Sequence, residues 1–563
     1  MDVQSRLALL LAFHAATPLM LQGAAASQCS IQELHPAPLA PGDALGSAID
    51  AEEPLFDLAL LGAPGADVSG AADAGTAWVA RKATPWALWT TETQLVSPAP
   101  AAGDGFGGAV ALEGALAAVG APGHAAPLPD SGVLHLFGFD GSAWVHRQEI
   151  PAPQPAAGAR FACALALDGA RLAVGARGSD AVAPDAGAVE VYAYDGSTWV
   201  HRQTLGASDA AGGAEFGAAL SLVDQQLVVG APGADAGAGA AYVFVEFGGI
   251  WLQEGKLIRP SAAAGDAFGA AVAARAGVAA IGAPLDDGAG TDAGAIDVFE
   301  RNVIWGHTDE VTLFNAAAGD RFGAAVSLDD AFVGGGAPGA GGGRGAVILF
   351  QGAPGSWNFW GSFQPCNGGG ADGLGAAFVS HFGGVIVGAP GHDDPFADAG
   401  LVYQTGIGDC GISRFCFGDG SGTPCPCANP GTCDAGCAGS AGEGASLWTY
   451  GTGSIAADDQ LFLAHDMLPG QPALLFVGNT DIVGGDGVPF GDGLRCVGQQ
   501  VVRLGVRFPD GIGDAVWGPG LGAAGGWGSG DLRYFQSWFR DPHASPCGSG
   551  FNLSDAALVF FGP

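Results

Sequence analysis

The chain has 563 residues, too many for one compact core of about 100–200 residues and enough for an array plus a further domain. Its 99 glycines and 13% charged residues would suit a disordered chain, yet apolar residues recur at regular spacing, which a disordered chain lacks. With 56 acids against 20 bases, the formal charge of −36 argues against nucleic acid or an anionic membrane as partner. It leaves cations, basic proteins or neutral glycans, or plain solubility.

Residues 1–26 read as an export signal: Arg6, the apolar run Leu7 to Phe13, a second apolar patch to Leu21, and Ala24-Ala25-Ala26 as a cleavage site that leaves Ser27 first. No later apolar run approaches the length of a membrane-spanning helix, so no transmembrane anchor is expected and the protein is placed outside the cell or in the envelope.

A ruled repeat follows. Phe106-Gly107, Phe161, Phe216-Gly217, Phe268-Gly269 and Phe322-Gly323, with Leu45-Gly46 and Leu374-Gly375 as end versions, each precede a Gly-Ala-Pro triplet. The triplets begin at Gly62, Gly120, Gly175 (where Arg177 replaces Pro), Gly230, Gly282, Gly336 and Gly388. Each of the inner five copies has a Trp seventeen residues before its Phe, beginning with Trp89 and Phe106. Seven copies, 52 to 58 residues apart between triplets, suit one four-stranded propeller blade each.

In the copy from Phe216 to Leu257, FGAALSL, LVVG, AAYVFVEF and WLQEGKL alternate as strands divided by turns at Asp224-Gln225 and Gly248-Gly249. Small residues dominate the first two strands and aromatics the last two, so the order runs from the axis outward. The Phe of each Phe-Gly is expected between neighbouring blades, and the Trp stripe in the widening wedges rather than on a ligand-stacking surface.

The seventh copy lacks a Trp strand after Leu401 to Thr405. Residues 28–34 match the missing fourth strand and are predicted to close blade seven, bringing Cys29 to Cys410 at the seam. The propeller is thus expected over 27–409, with a Cys/Gly-rich linker over 410–444. His146, His201 and His307 fall on different blades and read as solvated edge residues beside Arg147 and Arg202.

Cys416, Cys425, Cys427, Cys433 and Cys437 are spaced poorly for zinc and read as disulfides; with Cys496 and Cys547 their count is odd, which leaves Cys163 or Cys366 as a further partner, or one thiol free. Over 445–563 six strand-length apolar runs, at 445–450, 460–464, 473–477, 501–508, 532–539 and 557–561, predict a small antiparallel sandwich. Tyr534 and Trp538 read as strand-core aromatics, with a sugar-stacking surface as the alternative. The fold class is all-β: a seven-bladed propeller followed by a small disulfide-rich sandwich-like domain.

The segments Ala264-Gly265-Asp266-Ala267-Phe268-Gly269 and Ala318-Gly319-Asp320-Arg321-Phe322-Gly323 resemble the bacterial FG-GAP repeat, a motif shared with integrin α-subunit propellers. The resemblance spans about residues 28–409 and implies a propeller used in adhesion or ligand display. It also implies calcium loops between the first and second strands. Six copies have only short turns there, such as Glu113-Gly114, Asp168-Gly169 and Asp329-Asp330, too few oxygens for calcium. The longer first copy offers Asp50, Glu52, Glu53 and Asp57 without the motif's spacing.

The resemblance places ligands on the face made by the loops between strands two and three and those joining blades. There the ligand-face candidates are Asp104, Asp130, Asp185, Asp235, Asp266, Asp320 and His392. Two dense acidic sets, Asp286, Asp287 and Asp292, and Asp393, Asp394 and Asp398, are the candidate sites for calcium; the alternative is Asx turns leading into strand three. No other cofactor is assigned.

Phe490 to Cys496 and Arg533 to Pro542 resemble an uncharacterised C-terminal module of secreted bacterial proteins, which implies a Cys496–Cys547 pair. No G-x-S-x-G, H-E-x-x-H, P-loop or dinucleotide fingerprint occurs. The expected function is an exported, monomeric, non-enzymatic propeller that binds a protein or glycan. The alternatives are an extracellular hydrolase or lyase with its site on the same face, and a structural envelope protein.

Overall fold

The computed structural model describes residues 32–562 apart from 37–38, 52–56, 83–88, 126, 314–315, 365–369, 382–383, 394–395, 406–412, 419–422, 432–434, 451–453 and 543–544. The export signal, Cys29, Cys366, Asp394, Cys410 and Cys433 lie outside the described residues.

Among the described residues seven four-stranded antiparallel sheets follow the repeat, each a blade numbered here from the Leu45 copy. In blade four, Ala219–Val223, Gln226–Ala231, Ala240–Phe247 and Ile250–Leu257 pair in that order. The first strands of successive blades lie side by side, and Phe378–His381 of blade seven returns against Ala48–Ala51 of blade one, so the array is a closed propeller. Blade seven takes its fourth strand from the other end of the chain: Gln32–Leu34 pairs with Leu401–Thr405, with Gln32 opposite Gln404 and Leu34 opposite Val402.

The two halves of the motif meet across the blade boundary. A Cβ placed on Gly230, from the triplet of blade four, would lie 2.0 Å from the carbonyl oxygen of Gly269, from the Phe-Gly of blade five. Gly62 with Gly107 and Gly282 with Gly323 make the same contact. A side chain at either position would force the blades apart, which is why glycine recurs there. Phe106, Phe161, Phe216, Phe268 and Phe322 are fully buried. Phe106 packs with Leu58 and Leu60 of blade one as well as with Phe137 and Trp144 of its own blade, so it sits between blades. Burial of one such ring contributes roughly 1.5–3 kcal/mol.

Further out, an amide clasp links blades. Gln148 of blade two donates Nε2–H to the Trp199 carbonyl at 3.1 Å and accepts the Trp199 N–H at 3.0 Å. Gln203 holds Trp251 in the same way, and Gln32 holds Trp89, so the N-terminal strand makes the lateral contact of an ordinary outer strand.

The C-terminal region is a two-sheet sandwich. One sheet orders Ser413–Phe415, Phe551–Phe561, Asp531–Arg540, Ala473–Gly478 and Val502–Arg507; the other holds Ser446–Tyr450, Leu461–His465 and Ala515–Trp517. Leu447, Phe462 and Trp517 from the second sheet meet Leu475, Phe535 and Val559 from the first. The stretch expected as a linker is integral to this sandwich. Ser413–Phe415 is its edge strand, and disulfides join Cys416 to Cys496, Cys425 to Cys437 and Cys427 to Cys547. The expected Cys496–Cys547 pair is therefore corrected: each bonds to the Cys-rich segment instead. Cys163 is the free cysteine among the described residues. Tyr534 and Trp538 are half-buried against a core cluster, with Phe415 and Phe551 as their ring partners.

Candidate functional site

The loops joining blades carry an aspartate two residues before Phe106, Phe268 and Phe322, and its carboxylate closes a tight turn. Asp104 accepts the Ala101 N–H at 2.9 Å, Asp266 the Ala263 N–H and Asp320 the Ala317 N–H, both at 2.7 Å. All three are buried, and burial raises the Asp320 carboxyl above its ordinary range despite the Ala317 bond. These three ligand-face candidates are thus occupied as turn caps. His392 is equally enclosed, its Nδ1 2.7 Å from buried Asp372.

The loops between strands two and three behave differently. Asp73, Asp130, Asp185, Asp235, Asp292 and Asp398 all have φ of 50–53°, the left-handed conformation that aspartate tolerates better than most residues. Four of them donate their N–H to an earlier carboxylate: Asp73 to Asp67, Asp185 to Asp180, Asp292 to Asp287 and Asp398 to Asp393, at 2.8–3.0 Å. Asx-type turns therefore account for these acids. Their own carboxylates point outward, with Asp130, Asp185 and Asp235 exposed. Lys256 Nζ meets Asp235 at 2.8 Å and Asp209 at 2.8 Å.

Among the described residues the candidate calcium acids do not converge. Asp287 and Asp393 hold turns, and Asp394 is outside the described residues. Asp286 is buried with its Oδ1 2.6 Å from the Nη1 of Arg259. Among the described residues no three His, Cys, Asp or Glu side chains gather as metal ligands.

Arg259 marks a site that sequence reasoning missed. Its fully buried guanidinium is ringed by Asp286, Asp266 at 3.5 Å, Asp297 at 3.2 Å and Glu310 at 3.5 Å, within ion-pair distance but without hydrogen-bond alignment to Asp297. Burial, only partly offset by Arg259 and His307, pushes the Asp297 carboxyl up to about 6. The one hint in the sequence was a basic residue where other blades place Ser97, Ala152 or Ala207.

The histidines expected as solvated edge residues are each bonded within their blade. His201 lies 2.6 Å from Glu190, His307 2.7 Å from Asp297, and His146 3.3 Å from His135. Burial, then the neighbouring His146, lowers His135 to about 4.

Two cavities stand out. One, about 500 Å³, lies on the loop face where blades two, three and four meet, lined by Asp130, Arg160, Cys163, Arg177 and glycines including Gly105 and Gly123. Asp130 is the ligand-face candidate that borders it. The other, about 520 Å³, lies between blade six and the sandwich, with Phe350 and Arg344 on one side and Phe415 and Tyr534 on the other.

The FG-GAP repeat family matches residues 89–137, 144–192, 199–244 and 251–299. Each matched unit runs from an outer-strand Trp to the third-strand aromatic of the next blade, so the sequence repeat is offset by one strand from the blade. No curated protein matches the chain. Solved structures similar to it include Sqt1 of Saccharomyces cerevisiae, with 13% identity, 66% of this chain and 84% of that one covered, and a TM-score of 0.36. Another is a putative 6-phosphogluconolactonase of Bacteroides fragilis, with 8% identity, 56% and 82% covered, and a TM-score of 0.38. These scores are too low to bear on function.

Proposed function

We propose, from the premise that residues 32–405 form a β-propeller of FG-GAP repeats, that the protein is an exported binding module that meets a protein or glycan partner on its loop face. The carrying observation is the series of outward carboxylates at Asp130, Asp185 and Asp235, set on short turns whose backbone is fixed by Asx-type bonds or tight packing. Rigid elements position ligand-contacting groups better than mobile loops do. The three disulfides of the sandwich support an oxidising, extracellular setting. The buried carboxylates of this face, Asp104, Asp266, Asp320 and Asp372, are individually engaged in turns or with His392, which favours recognition over turnover.

The test is a glycan array together with capture of surface proteins, comparing the native chain with an Asp130→Asn, Asp185→Asn, Asp235→Asn variant. A partner retained by the native chain and released by the variant is expected. A partner held equally by both removes the loop face from the reading, and hydrolysis or elimination of an arrayed glycan replaces binding with catalysis.

A further inference from the structure

We propose that the recess between blades two, three and four captures the free C-terminal carboxylate of a peptide tail, clamped by Arg160 and Arg177, with Asp130 receiving a basic residue behind it. The inference rests on the reading of the loop face as a binding surface and gives that surface a ligand chemistry.

The other six blades supply an internal reference. Their triplets end in Pro64, Pro122, Pro232, Pro284, Pro338 and Pro390, where blade three has Arg177. Their Phe or Leu is followed by Gly46, Gly107, Gly217, Gly269, Gly323 and Gly375, where blade three has Ala162, and the next position holds Cys163 in place of Ser, Gly or Ala. The turn-capping aspartate of blades one, two, five, six and seven is replaced by Ala159 here, and by Ala214 in the adjoining blade four. Blade three thus breaks the pattern at positions clustered on one recess, and Arg160, Cys163 and Arg177 line it together. Arg160 shares its positive φ with the residue at that position in every blade, but Ala162 holds φ of 64° where the other blades have glycine, a conformation that costs an L-residue roughly 1 kcal/mol or more. Such local costs concentrate where a site is built.

Charge indicates what the recess takes. Neither guanidinium forms an ion pair among the described residues, although the chain has 56 acids. With Ala159 and Ala214 in place of the turn aspartate, blades three and four contribute no such carboxylate beside the two guanidinium groups, and an external one completes the pair. Guanidinium forks bind carboxylates in bidentate fashion. The walls at Gly105, Gly108 and Gly123 present backbone rather than apolar side chains, which suits a polar main chain and not a lipid or an aromatic ring. The volume, about 500 Å³, lies within the range of about 300–1,000 Å³ typical of small-ligand pockets. A polyuronate would carry further carboxylates past the recess along the loop face of a chain whose net charge is −36, whereas a peptide end presents one carboxylate and can set Lys or Arg against Asp130 and Asp185.

The experiment uses the full chain and a pool of labelled random hexapeptides with one Lys, ending either in a free carboxylate or in a carboxamide, read by fluorescence polarisation. The free-acid pool is expected to bind, with at least about tenfold loss on amidation and the same loss in Arg160→Gln and Arg177→Pro, the latter restoring the residue of the other blades. Arg147→Gln, on an outer strand, is the control and retains binding. Equal binding of the two pools, or unaltered binding by both variants whose melting matches the native chain, overturns the proposal. So does tighter binding of a galacturonate trimer or of inorganic phosphate than of the free-acid pool. A partner that survives Arg160→Gln but is lost from the Asp130, Asp185, Asp235 variant leaves the loop-face reading intact and the recess assignment refuted.

Discussion

The propeller and the C-terminal sandwich are both antiparallel β structures, yet they are held together by different means. Between blades, cohesion comes from a repeated set of contacts: glycine against glycine near the axis, a buried Phe between sheets, and a Gln clasp on the next outer strand. The sandwich repeats nothing. Among the described residues it relies on three disulfides and on buried polar groups with particular partners, Gln536 and Asp555 foremost. Gln536 donates to the carbonyls of Leu494 and Ser554 at 2.8 Å and accepts the Cys496 N–H at 3.0 Å; Asp555 pairs with Arg414 at 2.7 Å and accepts the Leu447 N–H at 2.6 Å. A ring of near-equivalent interfaces distributes its stability, whereas a singular core concentrates it in cross-links.

Reduction should separate the two most sharply. Each native bridge contributes about 2–4 kcal/mol, so calorimetry with reductant should show the sandwich transition collapsing while the propeller transition stays in place. One transition moving as a whole would mean that the two are a single cooperative unit. Next in size, Arg259→Met strands Asp286 and Asp297 in a buried site and should cost the propeller about 3–5 kcal/mol in chemical denaturation, leaving the sandwich untouched. A cost below about 1 kcal/mol would show that the acids take up protons instead.

Gly230→Ala should cost about 1–3 kcal/mol, because its Cβ meets the backbone of blade five, whereas Gly206→Ala, in open space and without a positive φ, costs less. Equal costs would deny that the glycine contacts hold the ring. The smallest effect is a pH slope. His135 titrates at about 4 when folded and near 6.5 when unfolded, so its stabilising contribution is full above pH 6.5 and is lost as pH falls toward 4. Native minus His135→Tyr stability should therefore fall by about 1 kcal/mol between pH 6.5 and 5.5. Asp297, raised to about 6, acts oppositely: the folded state retains its proton longer, so its contribution weakens as pH rises from about 4 to 6. Asp297→Asn should remove that second slope.

The blades were legible because each motif residue has one structural task, repeated in every copy. Phe216 and Trp251 have to be buried, and Gly230 has to be small, whatever the loops do. Six of the eight strands in the two sheets were legible as apolar runs, whereas Ser413–Phe415 and Ala515–Trp517 were too short to read, and the disulfide pairing was hidden, since Cys496 and Cys547 each found a partner in a segment whose composition resembled a linker. Aspartate was the least readable residue. Asp104 and Asp130 look alike in a glycine-rich loop, yet one caps a turn beneath the surface and the other faces solvent. Only the backbone path distinguishes them. Arg177 left a trace as an interruption of the triplet, and its significance required Arg160 to be placed beside the same recess.

The three-residue pairing of Gln32–Leu34 with Leu401–Thr405 gives the propeller a removable clasp. Released, it leaves the third strand of the last blade with bare amides and carbonyls that accept the equivalent segment of any copy. Two opened molecules at high concentration would then complete each other, so a strand-exchanged dimer, favoured by crowding and dispersed by dilution, is the form of misassembly this architecture invites.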